Sequence, residues 1–205
     1  MSFDRQTDQK KVEKTGPQGT QRKRELRSSF KQQAELFQSH ESVFQTERLH
    51  HHLIDFLKTQ EGTWAAFKAM GTEPRLENVI KVSSHLNWVF PKMVDDEIQF
   101  VDSTQFKRGS FGFDEPVGGR VIELNQIQGF IIPGVAFDRE GSRLGRGKGH
   151  YDRMLAKAQG LRLGVCFMFQ IYAGALPTES FDMKMDGLVS EHGLRFFGKG
   201  LQKWN

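Results

Sequence analysis

The stretch from Gly141 to Gly149 combines backbone flexibility with positive charge. Its four glycines are interleaved with Arg143, Arg146 and Lys148 in the segment GSRLGRGKG. Glycines let a backbone curl until successive N–H groups converge on an anion, and basic side chains add charge-assisted hydrogen bonds. An apolar run, GFIIPG, precedes the stretch and HYDRML follows it. The predicted order of strand, glycine-rich loop and helix start is typical of phosphate-binding sites.

Spacing excludes two short phosphate-binding motifs. A Walker A loop requires Ser or Thr after its lysine, but Gly149 follows Lys148. The dinucleotide pattern G-x-G-x-x-G also fails, because Gly145 and Gly147 are followed by a glycine only two residues later. Three cations suit a triphosphate better than a pyrophosphate diester. On these residues alone, a mobile surface loop with solvated cations remains the alternative.

A longer pattern resembles a known family. The segment PGVAFDREGSRLGRGKGHYDRML closely resembles the signature of the 5-formyltetrahydrofolate cyclo-ligases, also called methenyltetrahydrofolate synthetases. Further segments match in order over residues 22–190, namely KRELR, GTEPRLENVI, WVFPKM, FGFDEP and FDMKMDGLVSE. The resemblance implies ATP- and magnesium-dependent conversion of 5-formyltetrahydrofolate to 5,10-methenyltetrahydrofolate, with release of ADP and phosphate. The implied route phosphorylates the formyl oxygen and closes the ring by attack of N10.

The resemblance also implies which residues bind ATP. Arg146 and Lys148 would stabilise the transferred group, because phosphoryl transfer depends mainly on alignment and charge neutralisation. The other implied ATP contacts are Lys23, Arg27, Arg143, Leu144, Gly145, Gly147, Gly149, His150 and Tyr151. The i, i+4 spacing of Lys23 and Arg27 places both on one helical face. Spacing alone fits a solvated basic face equally well.

Two acids match the magnesium-associated positions of the family, Asp152 and Asp186. Carboxylate oxygens suit Mg²⁺, which proteins usually hold with one or two carboxylates plus substrate phosphates. Without the resemblance, Asp152 also fits a first-turn acid that favours the helix dipole. Asp186, in KMDG, equally fits a turn residue.

Four residues are implied to contact the folate: Phe67, Glu73, Phe111 and Tyr151. A carboxylate at Glu73 can accept two N–H bonds from the amino-pyrimidine edge of a pterin. The aromatic side chains would form apolar or stacking walls. Core packing is the alternative for the phenylalanines, of which the chain has 18.

The sequence departs from the family pattern at three positions. His150 stands where many relatives have tyrosine, Met93 where some have an aromatic residue, and Phe111 where some have tryptophan. We expect these changes to alter affinity more than reaction type. His150, Met93 and the basic N-terminus are the support for an alternative function: a catalytically silent fold relative that binds nucleotide, folate or RNA.

Apolar strands alternate with helical segments along the chain. We predict helices over residues 21–39, 43–60, 75–84 and 149–158, and a surface loop over 109–120. We predict strands over 63–67, 86–93, 97–101, 128–134, 161–167, 186–190 and 194–197. This alternation favours a single α/β domain with three αβα layers, a mainly parallel mixed sheet and a Rossmann-like arrangement.

Composition limits the class of protein. With 205 residues, 37% hydrophobic and 26% charged, we predict one catalytic domain over 21–205 after a disordered polar leader over 1–20. No apolar run is long enough to cross a bilayer and no secretory signal is evident, so we expect a cytoplasmic protein without a membrane partner. The single cysteine, Cys166, is expected to be a packed strand thiol.

The net charge of +4 is localised. Residues 1–27 contain eight basic and four acidic residues, which account for the whole excess and leave the rest neutral. A neutral body is a poor footprint for nucleic-acid binding. We therefore expect no nucleic-acid partner. The resemblance implies ATP and a reduced folate as partners, and we expect a monomer.

Overall fold

Four α-helices occur in the part of the chain that the structure, a computed structural model, describes: residues 17–37, 42–109 and 112–197. They are α1 (Pro17–Phe37), α2 (Ser42–Leu57), α3 (Glu77–Val82) and α4 (His150–Leu155). Helix α1 begins four residues before the predicted domain boundary, and residues 1–16 of the predicted leader lie outside the described ranges. None of these helices is long and apolar enough to cross a membrane.

An eight-stranded sheet forms the centre of the domain, in the order β13-β12-β10-β7-β1-β2-β3-β6. Its five strands from β12 to β2 are mutually parallel, and antiparallel strands flank them on both sides. The sheet is therefore mixed and mainly parallel, as predicted. The strands are β1 (Thr63–Ala65), β2 (Asn87–Val94), β3 (Glu97–Asp102), β6 (Arg120–Ile122), β7 (Gly129–Ile132), β10 (Leu161–Val165), β12 (Gly187–Ser190) and β13 (Gly193–Phe196).

The two faces of this sheet carry two separate hydrophobic cores. In β7, Ile131 faces the core formed with α2 and α3, whereas Phe130 and Ile132 face the core that contains Met154 and Leu155 of α4. All four β7 residues are buried, because a parallel strand covered on both faces contacts no solvent. The predicted three-layer αβα arrangement is confirmed.

Cys166 follows β10 and packs in the core that contains α4. Its thiol is fully buried, and burial raises the pKa of this group above its usual range. This agrees with the predicted packed thiol.

A second sheet, of three strands, includes the two strands that lie between β7 and α4 in the chain. It has the order β11-β8-β9, from β8 (Ala136–Asp138), β9 (Arg143–Leu144) and β11 (Ile171–Tyr172). The buried face of α1 packs on it, with Leu26 and Phe30 in one cluster with Leu144. The glycine-rich loop therefore follows an antiparallel hairpin, and not the parallel strand β7 directly as the sequence predicted. Helix α4 is also shorter than predicted.

The predicted surface loop over 109–120 contains regular structure. Strand β5 (Asp114–Pro116) pairs antiparallel with β4 (Phe106–Arg108), and Arg120 begins β6. Residues 110 and 111 lie outside the described ranges. The prediction was wrong because glycine and proline can mark short edge strands as well as turns.

Asp138 shapes the β8–β9 hairpin that leads to the loop. Its buried carboxylate accepts hydrogen bonds from the backbone N–H groups of Glu140 (2.9 Å), Ser142 (2.8 Å) and Leu176 (3.0 Å). The first two bonds fix the turn between the strands, and the third fixes the segment after β11. Asp138 therefore sets the path of the chain toward Arg143.

Substitution of Asp138 should lower stability in proportion to the number of acceptors removed. Asp138→Ala leaves three N–H groups without an acceptor, so we expect a loss of about 3 kcal/mol in the free energy of unfolding. Asp138→Asn keeps one oxygen and should lose less. Urea unfolding measures both, with Asp114→Ala at an exposed ion pair as the control. Equal stability of the Asp138→Ala and Asp114→Ala variants would contradict this role.

Candidate functional site

A cavity of about 570 Å³ opens at the carboxyl edge of the parallel strands. Phe67 and Lys68 follow β1, and Pro133 and Gly134 follow β7, so both strands end at this cavity. Ligands of open α/β sheets bind at this edge. Further lining comes from α1, the segment before α3, the β2–β3 hairpin, the loop, α4 and the segment before β12. These residues include Lys23, Arg27, Glu73, Met93, Ile98, Arg143, Leu144, Gly145, Arg146, Gly147, Lys148, Gly149, His150, Tyr151, Asp152, Glu179 and Asp182.

An ion pair closes the base of the loop. Arg143 Nη2 in β9 lies 3.0 and 2.9 Å from the two carboxylate oxygens of Asp152 in α4, and only 5% and 11% of these side chains are exposed. Arg143 also stacks over the ring of Tyr151, with 5.4 Å from its guanidinium carbon to the ring centroid. Its Nε is buried and has no hydrogen-bond partner among the described residues. Within the described ranges, this N–H group is therefore a donor without an acceptor beside the cavity.

The backbone of the loop needs glycine at two positions. Gly147 has φ 107° and Gly149 has φ 68°, values that side-chain-bearing residues rarely adopt. Arg27 of α1 donates from Nε to the carbonyl of Gly145 at 2.8 Å, and burial lowers the pKa of this guanidinium. Two of the predicted ATP-binding residues, Arg27 and Gly145, thus contact each other directly.

Lys23 lies at the cavity with its charge already compensated. Its Nζ is 2.7 Å from Asp182 and 3.1 Å from Glu179, and only 11% of its side chain is exposed. This contact ties α1 to the segment before β12. Leu144, another predicted ATP contact, lines the cavity but is 2% exposed and packs mainly in the core under α1.

Arg146 reaches across the cavity to Glu73. Its Nη2 lies 2.8 Å from Glu73 Oε1 and donates to the carbonyl of Met70 at 3.2 Å. The other Glu73 oxygen accepts the N–H of Met70 at 2.9 Å. Burial raises the pKa of the Glu73 carboxyl, and the nearby Arg146 cation opposes that rise. The predicted catalytic cation and the predicted folate-binding acid are therefore bound to each other.

The end of the loop lies against the β2–β3 hairpin. His150 Nε2 is 2.8 Å from Oδ1 of Asp96, and this imidazole is largely covered. Lys148 lines the cavity and is exposed, as a residue that contacts a phosphate would be. The departure from tyrosine at position 150 thus gives this chain a histidine–carboxylate contact.

Three of the predicted folate contacts can be placed. Phe67 is buried and lines the cavity together with Glu73 and Tyr151, whereas Phe111 lies outside the described residues. The pKa of the Tyr151 hydroxyl is raised, first by burial and then by the charge of Glu73. Met93 also lines this cavity. These predicted residues therefore lie at one cavity although they come from separate segments of the chain.

The sequence of the chain matches a known protein family. The profile of the 5-formyltetrahydrofolate cyclo-ligase family matches residues 19–191. The chain belongs to this family. The membership confirms the resemblance drawn from the loop signature and places that signature inside the matched region.

Named relatives agree with this assignment. The chain is 32% identical over 106 residues to the 5-formyltetrahydrofolate cyclo-ligase of Mycoplasma pneumoniae and 39% identical over 124 residues to a probable one of Schizosaccharomyces pombe. These matches cover 50% and 51% of this chain, but only 55% and 61% of those relatives. The match to the mouse 5-formyltetrahydrofolate cyclo-ligase is 26% identical and covers 82% of this chain and 93% of the relative.

Two solved structures of methenyltetrahydrofolate synthetases share the fold. The Aquifex aeolicus protein superposes with a TM-score of 0.72 at 30% identity, covering 88% of this chain and 96% of that one. The Mycoplasma pneumoniae protein gives 0.69 at 25% identity, covering 82% and 98%. The α/β fold is therefore that of the cyclo-ligase family.

The two predicted magnesium acids do not meet at the cavity. Asp186 precedes β12, and because β12 runs parallel to β10 and β7, its first residues lie at the sheet edge opposite Pro133. Arg162 holds its carboxylate with bonds of 2.8 to 3.0 Å. The structure therefore places only Asp152 at the cavity, and both oxygens of Asp152 contact Arg143.

Sequence reasoning missed two acids at the site, Glu179 and Asp182. Both line the cavity and bind Lys23. Asp182 lies in the segment FDMKMDGLVSE, which carries part of the resemblance, so a signal was present. The sequence does not show which end of that segment lies at the cavity, so it could not favour Asp182 over Asp186 as a site residue.

Substitution of one partner of the Arg143–Asp152 pair should strongly destabilise the fold. Asp152→Ala leaves a buried guanidinium without a counter-charge, so we expect a loss of about 3–5 kcal/mol in the free energy of unfolding. The double variant Arg143→Met/Asp152→Leu should recover most of this loss. Glu97→Ala, which removes an exposed partner of Lys157, is the control and should change stability by less than about 1 kcal/mol. A loss as small as the control's at Asp152 would contradict the buried pair.

Proposed function

We propose that this chain catalyses the ATP-dependent conversion of 5-formyltetrahydrofolate to 5,10-methenyltetrahydrofolate, with release of ADP and phosphate. The observation that carries the proposal is one cavity that contains both the basic glycine loop and Glu73 with its apolar neighbours. Its volume of about 570 Å³ lies within the usual range for small-molecule sites. Family membership and the names of the relatives support the same reaction.

The proposed chemistry has two steps. The formyl oxygen attacks the terminal phosphorus of ATP, the bond from that phosphorus to the bridging oxygen breaks, and ADP leaves. N10 then adds to the activated formyl carbon and loses its proton, and the carbon–oxygen bond breaks to release phosphate. The protein has to align the two substrates and neutralise the phosphoryl oxygens, so it needs no covalent nucleophile.

The basic residues divide this work. Arg146 and Lys148 are proposed to contact the transferred phosphoryl group, because both lie on the exposed part of the loop that lines the cavity. Arg143 is proposed to donate from its unpartnered Nε to a phosphate oxygen. Gly145, Gly147 and Gly149 let the backbone approach the phosphates, and Lys23 and Arg27 position α1 beside them.

Glu73 is proposed to accept N–H groups of the pterin ring, with Phe67 and Tyr151 as its walls. The buried carboxylate favours a ligand that offers hydrogen-bond donors, since desolvation leaves this anion dependent on its partners. The pterin N–H groups would take over from Arg146 when Arg146 moves to the phosphate.

The two predicted acids, Asp152 and Asp186, do not form a two-carboxylate magnesium site. Asp152 is committed to Arg143, and Asp186 lies at the other sheet edge. No cluster of three or more potential metal ligands occurs among the residues described. Magnesium dependence is therefore kept as a prediction for ATP-bound metal, and no step of the mechanism is assigned to it.

Turnover can be measured by the absorbance of methenyltetrahydrofolate together with ADP release, with and without Mg²⁺. Lys148→Ala should reduce kcat by about 10²–10³-fold, because it removes a cation from the charge that develops in the transition state. Lys184→Ala, which removes an exposed cation paired with Glu140 outside the cavity, should retain activity. Absence of both signals from the unmodified protein would refute the proposal.

Binding of 5-formyltetrahydrofolate without ADP release would instead support the catalytically silent relative. RNA binding that weakens with salt and disappears on deletion of residues 1–27 would support its RNA-binding form. The monomeric state, the cytoplasmic location and the domain limits stay predictions.

A further inference from the structure

The turn of the β2–β3 hairpin reaches the far end of the glycine loop. Asp95 and Asp96 form this turn with φ of 47° and 63°, between paired Val94 and Glu97. Two central residues with positive φ are typical of the tight hairpin turn whose twist matches the strands. The geometry aims the Asp96 carboxylate at α4.

Asp96 binds two side chains of α4. Its Oδ1 lies 2.8 Å from His150 Nε2, and its Oδ2 accepts from Arg153 Nη2 at 2.9 Å. The carbonyl of Asp96 accepts from the same Arg153 nitrogen at 3.0 Å. Both side chains thus converge on one turn residue.

Arg153 also binds the loop and so links Asp96 to it. Its other terminal nitrogen, Nη1, donates to the carbonyl of Lys148 at 2.9 Å. At the other end of the loop, Arg27 holds the carbonyl of Gly145. Gly147 lies between these two anchored carbonyl groups and Gly149 follows them. Glycines restrain the backbone little, so the two anchors determine where the loop lies.

We propose that Asp96 is a positioning residue for the phosphate-binding loop, acting through His150 and Arg153. This rests on the proposed function. Asp96 does not line the cavity, so its effect on nucleotide binding is indirect. A displaced loop would weaken the contacts with phosphate and leave the folate side of the cavity as it is.

The test compares Asp96→Asn with Asp95→Asn. Both remove one charge from the same turn at positive φ, which asparagine tolerates. Asp96→Asn should raise the KM for ATP and the Kd of a non-hydrolysable ATP analogue about fivefold, the upper range for an exposed ion pair. The KM for 5-formyltetrahydrofolate and the melting temperature should match those of Asp95→Asn.

Equal nucleotide affinity in the two variants would overturn the positioning role while leaving the proposed function intact. A similar rise in both KM values with a lower melting temperature would also overturn it, because that pattern indicates a general structural effect. If the unmodified protein neither binds the analogue nor turns over, the proposed function itself fails.

A second contact carries an independent inference. Arg146 and Glu73 are assigned to opposite halves of the reaction, yet they bind each other at 2.8 Å. Arg146 is 54% exposed and Glu73 only 9%, so the arginine can swing away while the carboxylate remains desolvated. Arg146 cannot offer the same N–H groups to Glu73 and to a phosphate together.

We infer that the Arg146–Glu73 pair couples the binding of the two ligands. The ligand that binds first must break this ion pair, which weakens its binding, whereas the ligand that binds second finds the pair already broken. A phosphate that takes Arg146 leaves Glu73 in need of donors, and a pterin that supplies donors frees Arg146. By linkage, each ligand then raises the affinity of the other by the same factor. This also rests on the proposed function.

Glu73→Gln should therefore have opposite effects on the two ligands. It removes the charge that competes for Arg146, so the ATP analogue should bind about fivefold more tightly in the absence of folate. Binding of 5-formyltetrahydrofolate should weaken. Calorimetry measures both constants, with Glu140→Gln at an exposed acid outside the cavity as the control.

The unmodified protein supplies a measurement that needs no variant. Saturating ATP analogue should lower the Kd of 5-formyltetrahydrofolate, and saturating folate should lower the Kd of the analogue equally. Independent binding of the two ligands, or unchanged or weaker analogue binding by Glu73→Gln, would overturn the coupling. Neither result would bear on turnover, which the absorbance assay decides.

Discussion

The buried ion pair between Arg143 and Asp152 is the constraint on which the site depends. The two residues stand on either side of the glycine loop, so their contact closes the loop at its base. Charges with 5% and 11% of their side chains exposed must be paired, and this requirement fixes β9 against α4. The flexible glycines between them therefore start and end at fixed points. Flexibility is confined to the segment that we propose approaches the phosphates of ATP.

The same electrostatic logic applies to the other cations of the cavity. Lys23 binds Glu179 and Asp182, and Arg146 binds Glu73. A cluster of cations without anions would destabilise the fold by self-repulsion. The acids relieve this repulsion, and in the proposed function a polyphosphate supplies negative charge in their place. Ligand binding at such a site is an exchange of partners, and the most exposed pairs exchange at the least cost.

Much of the fold follows from local patterns, and the site follows from them only in part. The run of apolar residues at β7 predicts a strand buried on both faces, and the structure confirms it. The β8–β9 hairpin was not predicted, because strands of three and two residues are too short to show alternation. The position of Asp186 was also beyond local patterns, since its partner Arg162 and its sheet edge depend on strand order. Residues brought together by topology cannot be paired from spacing alone.

The length of the loop signature has a structural explanation. Its first half contains Asp138, which fixes the hairpin turn by accepting hydrogen bonds from the backbone N–H groups of Glu140 and Ser142. The hairpin positions Arg143 beside Asp152. That ion pair fixes the two ends of the loop that contains Arg146 and Lys148. Each step needs its own residues, so a loop built on a hairpin requires a longer motif than one that follows a parallel strand directly. The residues that precede Arg146 and Lys148 therefore restrict the positions that these two cations can take.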